Sequence, residues 1–313
     1  MLLKGLYASL ATLLALTGAR AYPNPGRVEG DIKHDPSVAK GSDGTYIMSA
    51  TGNGLPIWTS TDRTTWTLAG EAFPNGAPSA TDAYTGTVDG DLWAPDITYV
   101  DGKFIMYYSA STMSSQHSAI FMAQSPTGLP GTWTDNGKVL ESATGYAYNA
   151  IDPHLIVSNG KWYLSFGSFW QGIYLAELDP SSGKTLSSSY THIAYRPDGG
   201  NAIEASWVYE TNGYFYLFTS FDKCCSGTAS TYNIRVARAS SITGPFVDES
   251  GVAALEGGGT TILASHDAII GPGGQSLLAD TDAVALIYHY YTATDSLLGI
   301  NLLDFSSGWP VVY

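Results

Sequence analysis

The chain has 313 residues, of which 14 are basic and 28 acidic, giving a formal net charge of −14. A surface this acidic repels nucleic acid and anionic lipid, both of which demand basic patches. The 35 glycines, 21 tyrosines and 8 tryptophans suit pleated strands joined by tight turns, so the expected class is all-β.

In chain order, residues 1–21 read as a secretory signal peptide. Lys4 supplies the positive start, Leu6 to Leu16 is apolar apart from Ser9 and Thr12, and Ala19-Arg20-Ala21 is a small-x-small cleavage site. The apolar run is too short to span a bilayer. The mature chain, residues 22–313, is expected to be secreted, monomeric and more acidic still, having lost Lys4 and Arg20. It contains no Asn-x-Ser/Thr acceptor for N-glycosylation.

A repeat follows. Asp43-Gly44, Asp101-Gly102, Asn159-Gly160 and Asn212-Gly213 each separate two apolar runs. These are the residues that a two-residue type I′ hairpin turn demands, because both central positions need φ > 0. The strands predicted after them are Thr45–Ala50, Lys103–Ser109, Lys161–Gly167 and Tyr214–Ser220. A fifth copy, Ala283–Tyr290, follows Asp280-Thr281-Asp282. Each leads to another strand: Pro56–Ser60, Ala119–Gln124, Ile173–Glu177, Ile234–Ala239 or Gly299–Asp304. Trp66, Trp133, Phe246 and Trp309 come after the Gly or Thr turns beyond these strands. Five four-stranded units spaced roughly fifty to seventy residues apart predict a five-bladed β-propeller in a single domain.

Upstream of four of these turns stands a carboxylate: Asp35, Asp96, Asp152 and Glu204. The first strand of a propeller blade lines the central channel, so these starts are expected to gather around one funnel. Acids crowded there have their pKa values pushed apart, which lets one act as general acid while another acts as base. Asp96 stands nearer its turn than the others do, which marks it as the structural member. Trp93 and Trp170 are the candidate platforms for sugar rings among the aromatics nearby, which include Tyr146, Tyr148, Phe169 and Trp207. The only cysteines, Cys224 and Cys225, are adjacent. They are read either as a vicinal disulfide or as two buried thiols. A structural zinc is disfavoured, because such a site wants about four ligands and there is no second cysteine pair.

At these residues the sequence resembles the family 43 glycoside hydrolases, specifically their fungal endo-arabinanases. The resemblance is carried by His34-Asp35-Pro36-Ser37, Leu92-Trp93-Ala94-Pro95-Asp96, Asn149-Ala150-Ile151-Asp152-Pro153-His154, Glu204-Ala205-Ser206-Trp207 and Tyr288-His289-Tyr290-Tyr291. Also shared are Phe221-Asp222-Lys223-Cys224-Cys225, Ser230-Thr231-Tyr232, and the ending from Gly299-Ile300-Asn301 to Gly308-Trp309-Pro310. It implies endo-hydrolysis of α-1,5-L-arabinan with inversion. Asp35 would be the general base, Glu204 the general acid, and Asp152 the group that tunes and orients the acid. Trp93, Asn149 and Trp170 would contact substrate. An inverting pair stands about 6.5–9.5 Å apart, leaving room for water.

One position departs from the pattern. Where many relatives place an ion-holding His after Gly-Pro-Gly, this chain has Gly274 and then Gln275. A central calcium or sodium ion would therefore be held mainly through water, and no residue is assigned as a metal ligand. His289 would serve the core or the substrate. The competing readings are an exo-arabinanase, α-L-arabinofuranosidase or β-xylosidase of the same family, and a non-catalytic glycan-binding propeller. The added domain common in those exo relatives is not expected after Tyr313, and a binding surface has no need of three acids on separate blades.

Overall fold

The structure, a computed structural model, describes residues 22–30 and 34–313; the signal-peptide reading lies outside them. Five antiparallel sheets follow one another along the chain. Blade one holds β1 (Ser37–Lys40), β2 (Tyr46–Ser49), β3 (Pro56–Ser60) and β4 (Thr67–Glu71). Blade two holds β5 (Trp93–Val100), β6 (Lys103–Ala110), β7 (Ser118–Ser125) and β8 (Thr134–Ser142). Blade three holds β9 (His154–Ser158), β10 (Lys161–Phe166) and β11 (Ile173–Asp179), with two short outer strands, β12 (Lys184–Thr185) and β13 (Thr191–Ala194). Blade four holds β14 (Ile203–Thr211), β15 (Tyr214–Phe221), β16 (Asn233–Ala239) and β17 (Thr260–Leu263). Blade five holds β18 (Ile270–Ala279), β19 (Val284–Tyr291), β20 (Ser296–Asp304) and β21 (Val311–Val312). The innermost strands meet in a closed ring: β1 against β5, β5 against β9, β9 against β14, β14 against β18, and β18 against β1. The expected five-bladed propeller is the fold.

Three of the four marked turns are two-residue hairpins with both φ positive: 51° and 79° at Asp101-Gly102, 50° and 75° at Asn159-Gly160, and 52° and 76° at Asn212-Gly213. The turn at Asp43-Gly44 is different. Its strands stop at Lys40 and Tyr46, and only Gly44 has positive φ. The Asp43 carboxylate accepts the Thr45 N–H at 2.9 Å, and Gly41 N–H bonds Thr45 O at 2.8 Å. A side chain that satisfies the backbone two residues on makes a wider loop.

The period of two along each strand builds the core. On β6, Phe104, Met106 and Tyr108 face blade one, whereas Ile105 and Tyr107 face blade three. Every gap between blades is filled in this way by its own apolar cluster. A strand pressed between two sheets is apolar on both faces, which is why β6 and β7 read as continuous apolar runs. Trp66 and Trp133 close their blades, their indole N–H groups donating to Arg63 O at 3.1 Å and Gly128 O at 3.2 Å.

No strand is shared between the first and last blades, so the seam between them needs its own fastening. Residues 22–30 cross it. Gly26 N–H bonds Ile300 O at 2.9 Å on blade five, and Glu29 N–H bonds Thr64 O at 2.9 Å on blade one. Deeper in the seam, Asp280 of blade five is 1% exposed and is held by Lys40 Nζ at 2.7 Å and Arg63 Nη1 at 2.6 Å of blade one. The Tyr46 hydroxyl also donates to it, at 2.5 Å.

Candidate active site

Each innermost strand is preceded or opened by a residue with left-handed backbone. These are Asp35 (φ 49°), Ala94 (43°), Asp152 (57°), Ala205 (50°) and Gly274 (57°). An L-residue there costs about 1–2 kcal/mol, and such strain gathers at working sites. In four of the five blades, the N–H of this residue donates to a side chain on the second strand, or just beyond it, of the preceding blade. Ala94 donates to Thr51 Oγ1 at 2.9 Å, Asp152 to Ser109 Oγ at 3.1 Å, and Gly274 to Ser220 Oγ at 3.1 Å. Asp35 donates to His289 Nδ1 at 3.2 Å. The exception is Ala205. The matching residue of blade three is Gly167, whose N–H bonds Ile151 O and where any Cβ would lie 2.3 Å from Gly172 O. With no side chain available, the Asp152 carboxylate takes the role and accepts the Ala205 N–H at 3.0 Å.

This belt corrects the expected alignment of the four acids. Asp35 and Asp152 are equivalent. Glu204 stands one residue before its ring member, in the place of Trp93. Asp96 stands two residues beyond its own, 1% exposed, accepting Leu155 N–H at 2.7 Å and facing His154 Nδ1 at 3.3 Å. The cause is a bulge. The ladder breaks register between Trp93 and Asp96 and between Glu204 and Trp207, so counting back from the turn misplaces the acids.

A cleft of about 810 Å³ opens above the ring, and Asp35, Asp152, Glu204, Trp93, Asn149 and Trp170 all line it. Asn149 reaches it only at an edge, being 3% exposed, with its Oδ1 accepting from Ser142 Oγ at 3.4 Å. Trp170 is presented by consecutive left-handed residues, Phe169 (φ 54°) and Trp170 (41°). Tyr146 and Tyr148 instead join an aromatic cluster on blade three, and Trp207 is stacked on His154 at 3.7 Å. Cys224 and Cys225 form a disulfide in the cleft wall.

Burial, reinforced by the charges of Glu204 and Asp35, pushes the Asp152 carboxyl well above the usual carboxylate range. Burial also pushes Glu204 up, against hydrogen bonds from Ser168 and Tyr232 that favour its charged form. The Ser168 hydroxyl lies 2.6 Å from Glu204 Oε2. Two adjoining carboxyls that resist joint ionisation keep a proton on their side of the cleft. The Asp35 Oδ2 accepts from Thr51 Oγ1 at 2.7 Å.

Ser168 and Thr51 carry no signal by type or spacing, and Tyr232 is marked only as part of the shared run Ser230-Thr231-Tyr232. The run Gly271-Pro272-Gly273-Gly274 carries one, once its neighbours are known. A Cβ on Gly273 would lie 2.0 Å from the Tyr232 ring. One on Gly274 would lie 2.5 Å from Asp35 Oδ1 and 2.7 Å from the His289 ring. Gly274→Ala is therefore expected to displace Asp35 and lower kcat by at least tenfold in a folded protein, as steady-state assay beside a circular dichroism melt would show.

The same crowding bears on the ion. The channel beneath the acids holds about 30 Å³ of free space, enough for water to enter. Both nitrogens of His289 and of His154 are engaged, as are both ends of Gln275. Among the described residues, those around the channel do not fit a directly coordinated ion.

The family model for glycosyl hydrolases family 43 matches residues 27–310. The chain belongs to glycosyl hydrolase family 43. Within that family it is 40% identical to an arabinan endo-1,5-α-L-arabinosidase A of Aspergillus niger, over 97% of this chain and 98% of that one. Among solved structures, a GH43 endo-arabinanase from Bacillus licheniformis superposes with a TM-score of 0.82 at 40% identity, covering 91% of this chain and 99% of the other. An exo-1,5-α-L-arabinanase from a bovine ruminal metagenomic library superposes with a TM-score of 0.84 at 34% identity, covering 93% and 97%. The glycoside hydrolase reading of the sequence holds. The family scaffold carries both endo- and exo-acting members, so the mode of attack has to be argued from the cleft.

Proposed function

We propose that this family 43 enzyme is a secreted, monomeric, endo-acting arabinanase that hydrolyses α-1,5-L-arabinofuranosidic bonds with inversion, its mature chain running from Tyr22. The observation that carries the reading is the cleft, which runs over four blades with the acids on its floor and Trp93 and Trp170 beside them. Aromatic faces pack on the C–H faces of sugars. Of the two longest polar connections, 69–90 contributes nothing to its lining among the described residues, and 184–200 reaches it only with Gly200, which has no side chain to wall off an end. A long chain can lie across such a site, as an endo enzyme needs. No helix among the described residues is long and apolar enough to cross a membrane, in keeping with a secreted enzyme.

Glu204 lines the cleft and not the channel below it, whereas Asp35 and Asp152 line both. In this reading Glu204 gives its proton to the departing glycosidic oxygen. Asp35 takes a proton from the water that attacks the anomeric carbon from the opposite face. Burial keeps Glu204 protonated, and Asp152, which resists ionising beside it, tunes and orients the acid. The bond from anomeric carbon to leaving oxygen breaks as the bond to water forms.

The test uses linear α-1,5-arabinan. Viscosity is expected to fall early while few reducing ends have formed, and proton NMR of the first products is expected to show the inverted anomer. Release of one small sugar from the outset at constant polymer length would make the enzyme exo-acting. Net retention would make Asp35 a nucleophile.

A further inference from the structure

Tyr291 lies beyond the cleft lining, yet its hydroxyl is the meeting point of four groups. Cys225 N–H lies 2.9 Å from it, His289 Nε2 3.2 Å, His34 Nε2 3.3 Å and Cys224 Sγ 3.3 Å. Two of these histidine and tyrosine side chains come from blade five, His34 comes from blade one, and the cysteines come from blade four.

A tyrosine oxygen accepts two hydrogen bonds and donates one, so the proton positions can be worked out. The backbone N–H of Cys225 can only donate. His289 Nδ1 accepts the Asp35 N–H, the role that Thr51, Ser109 and Ser220 oxygens fill in other blades. Its burial holds the ring neutral, the pKa pushed down to about 3. Nδ1 also stands 3.4 Å from Asp35 Oδ1, but with its lone pair taken by the Asp35 N–H the single ring proton of His289 is on Nε2 and points at Tyr291. Both lone pairs of the Tyr291 oxygen are then filled. Its own hydrogen goes to His34 Nε2, because a disulfide sulfur is a weak acceptor. A His34 that accepts at Nε2 carries its hydrogen on Nδ1, which stands 3.9 Å from Asp35 Oδ2.

We infer that Tyr291, held in place by the Cys224–Cys225 turn, is a positioning residue for Asp35, fixing His34 as the tautomer that turns an N–H toward the base's carboxylate. The inference rests on the arabinanase reading only in calling Asp35 the base; the proton order follows from the contacts. Without the Tyr291 hydroxyl, His34 is free to carry its proton on Nε2. It would then add a second lone pair to the one that His289 Nδ1 already turns toward Asp35 Oδ1 at 3.4 Å, leaving no imidazole N–H to balance the repulsion and turning the carboxylate away from the water. The disulfide takes part through the backbone. Cys225 has φ 60°, a conformation rare outside glycine, and the ring it closes with Cys224 keeps its N–H aimed at Tyr291.

The test compares wild type, Tyr291→Phe, His34→Asn, the double variant, and Cys224→Ala combined with Cys225→Gly, glycine being chosen because it accepts the left-handed backbone. On linear arabinan, Tyr291→Phe is expected to lower kcat about tenfold to a hundredfold, the scale of lost supporting hydrogen bonds, with KM within about twofold. The cysteine pair variant should move kcat the same way. In the His34→Asn background, where the amide donates without help, Tyr291→Phe should have no further effect. Two-bond ¹H–¹⁵N spectra of uniformly labelled protein, with His34→Asn used for assignment, should show His34 protonated on Nδ1 in wild type and redistributed in Tyr291→Phe. A folded Tyr291→Phe with unchanged kcat would overturn the inference, as would a His34 protonated on Nε2 in wild type. Wild type that fails to cut arabinan would sink the proposed function alone, since the tautomer spectra need no substrate.

Discussion

Glu204→Gln is expected to lower kcat/KM on arabinan by about a hundredfold to ten-thousandfold, the range of help from a single general acid. On an aryl arabinofuranoside whose phenolate leaves unaided, the same variant should keep most of its rate, because no proton is then needed at the leaving oxygen. Asp35→Asn should be equally slow on both substrates, since water must be activated in either case. Equal losses for Glu204→Gln on the two substrates would contradict its role as acid. Stability should move the other way. Asp152 and Glu204 have folded pKa values above their unfolded ones, so the folded state binds more protons than the unfolded state. Their contribution to stability therefore declines as pH rises from the unfolded value near about 4 through the raised folded values. At neutral pH Glu204→Gln should melt at the wild-type temperature or above it, and differential scanning calorimetry at pH 4 and pH 8 would show the gap widening with pH. A site that gains stability when its chemistry is removed is one whose charges are held there for catalysis.

The second large effect is expected at the seam. Asp280→Ala leaves Lys40 and the Tyr46 hydroxyl without their shared acceptor, while Arg63 keeps Asp282, whose oxygens lie at 2.6 and 2.7 Å. Removing one partner from a buried ion cluster costs about 3 kcal/mol, which in a chain of this size is roughly 5 °C in Tm. Asp282 is 62% exposed, and Asp282→Ala should melt close to the wild-type temperature, since exposed ion pairs contribute little. The pH dependence has a definite sign. Burial opposes ionisation of Asp280, but hydrogen bonds from Lys40 and Tyr46 outweigh it and hold the carboxyl well below its ordinary value. Its stabilisation is whole above the unfolded pKa and is lost as pH falls below about 4. Thermal melts of Asp280→Ala and wild type should therefore differ at pH 7 and converge toward pH 2. A difference that stayed constant with pH would place the effect in packing instead of charge.

Much of this architecture was legible in residue order because it rests on local chemistry. Asn159-Gly160 and Asn212-Gly213 can form few turns other than the one they form, and period-two patterns set the strands between them. Asp43-Gly44 misled because its carboxylate reaches its own backbone and widens the loop. The acids were legible as a set but not in register. The bulges that push Glu204 one place before the ring and Asp96 two places beyond it arise from left-handed residues at Ala94 and Ala205, and alanine gives no warning of that conformation. Ser168 and Thr51 were invisible for another reason. Their importance lies in which blade they face, and only ring closure decides that. Gly274 shows both sides. The sequence marked it as an empty place, and the structure fills that place with the Asp35 carboxylate and the His289 ring.

The way the site is shared out across the seam has a bearing on synthesis. Asp35 belongs to the first blade to leave the ribosome, and the groups that frame it, Gly274, His289 and Tyr291, belong to the last. Domains are made from the N-terminus onward, so a nascent chain carries the base long before it carries the base's surroundings. Glu204 and Asp152 arrive in between, without a closed ring to crowd them together. A chain halted before blade five thus has every carboxylate of the site and none of its arrangement. Completion of the fold and onset of hydrolysis become the same event, and an unfinished molecule is inert without any inhibitor to keep it so.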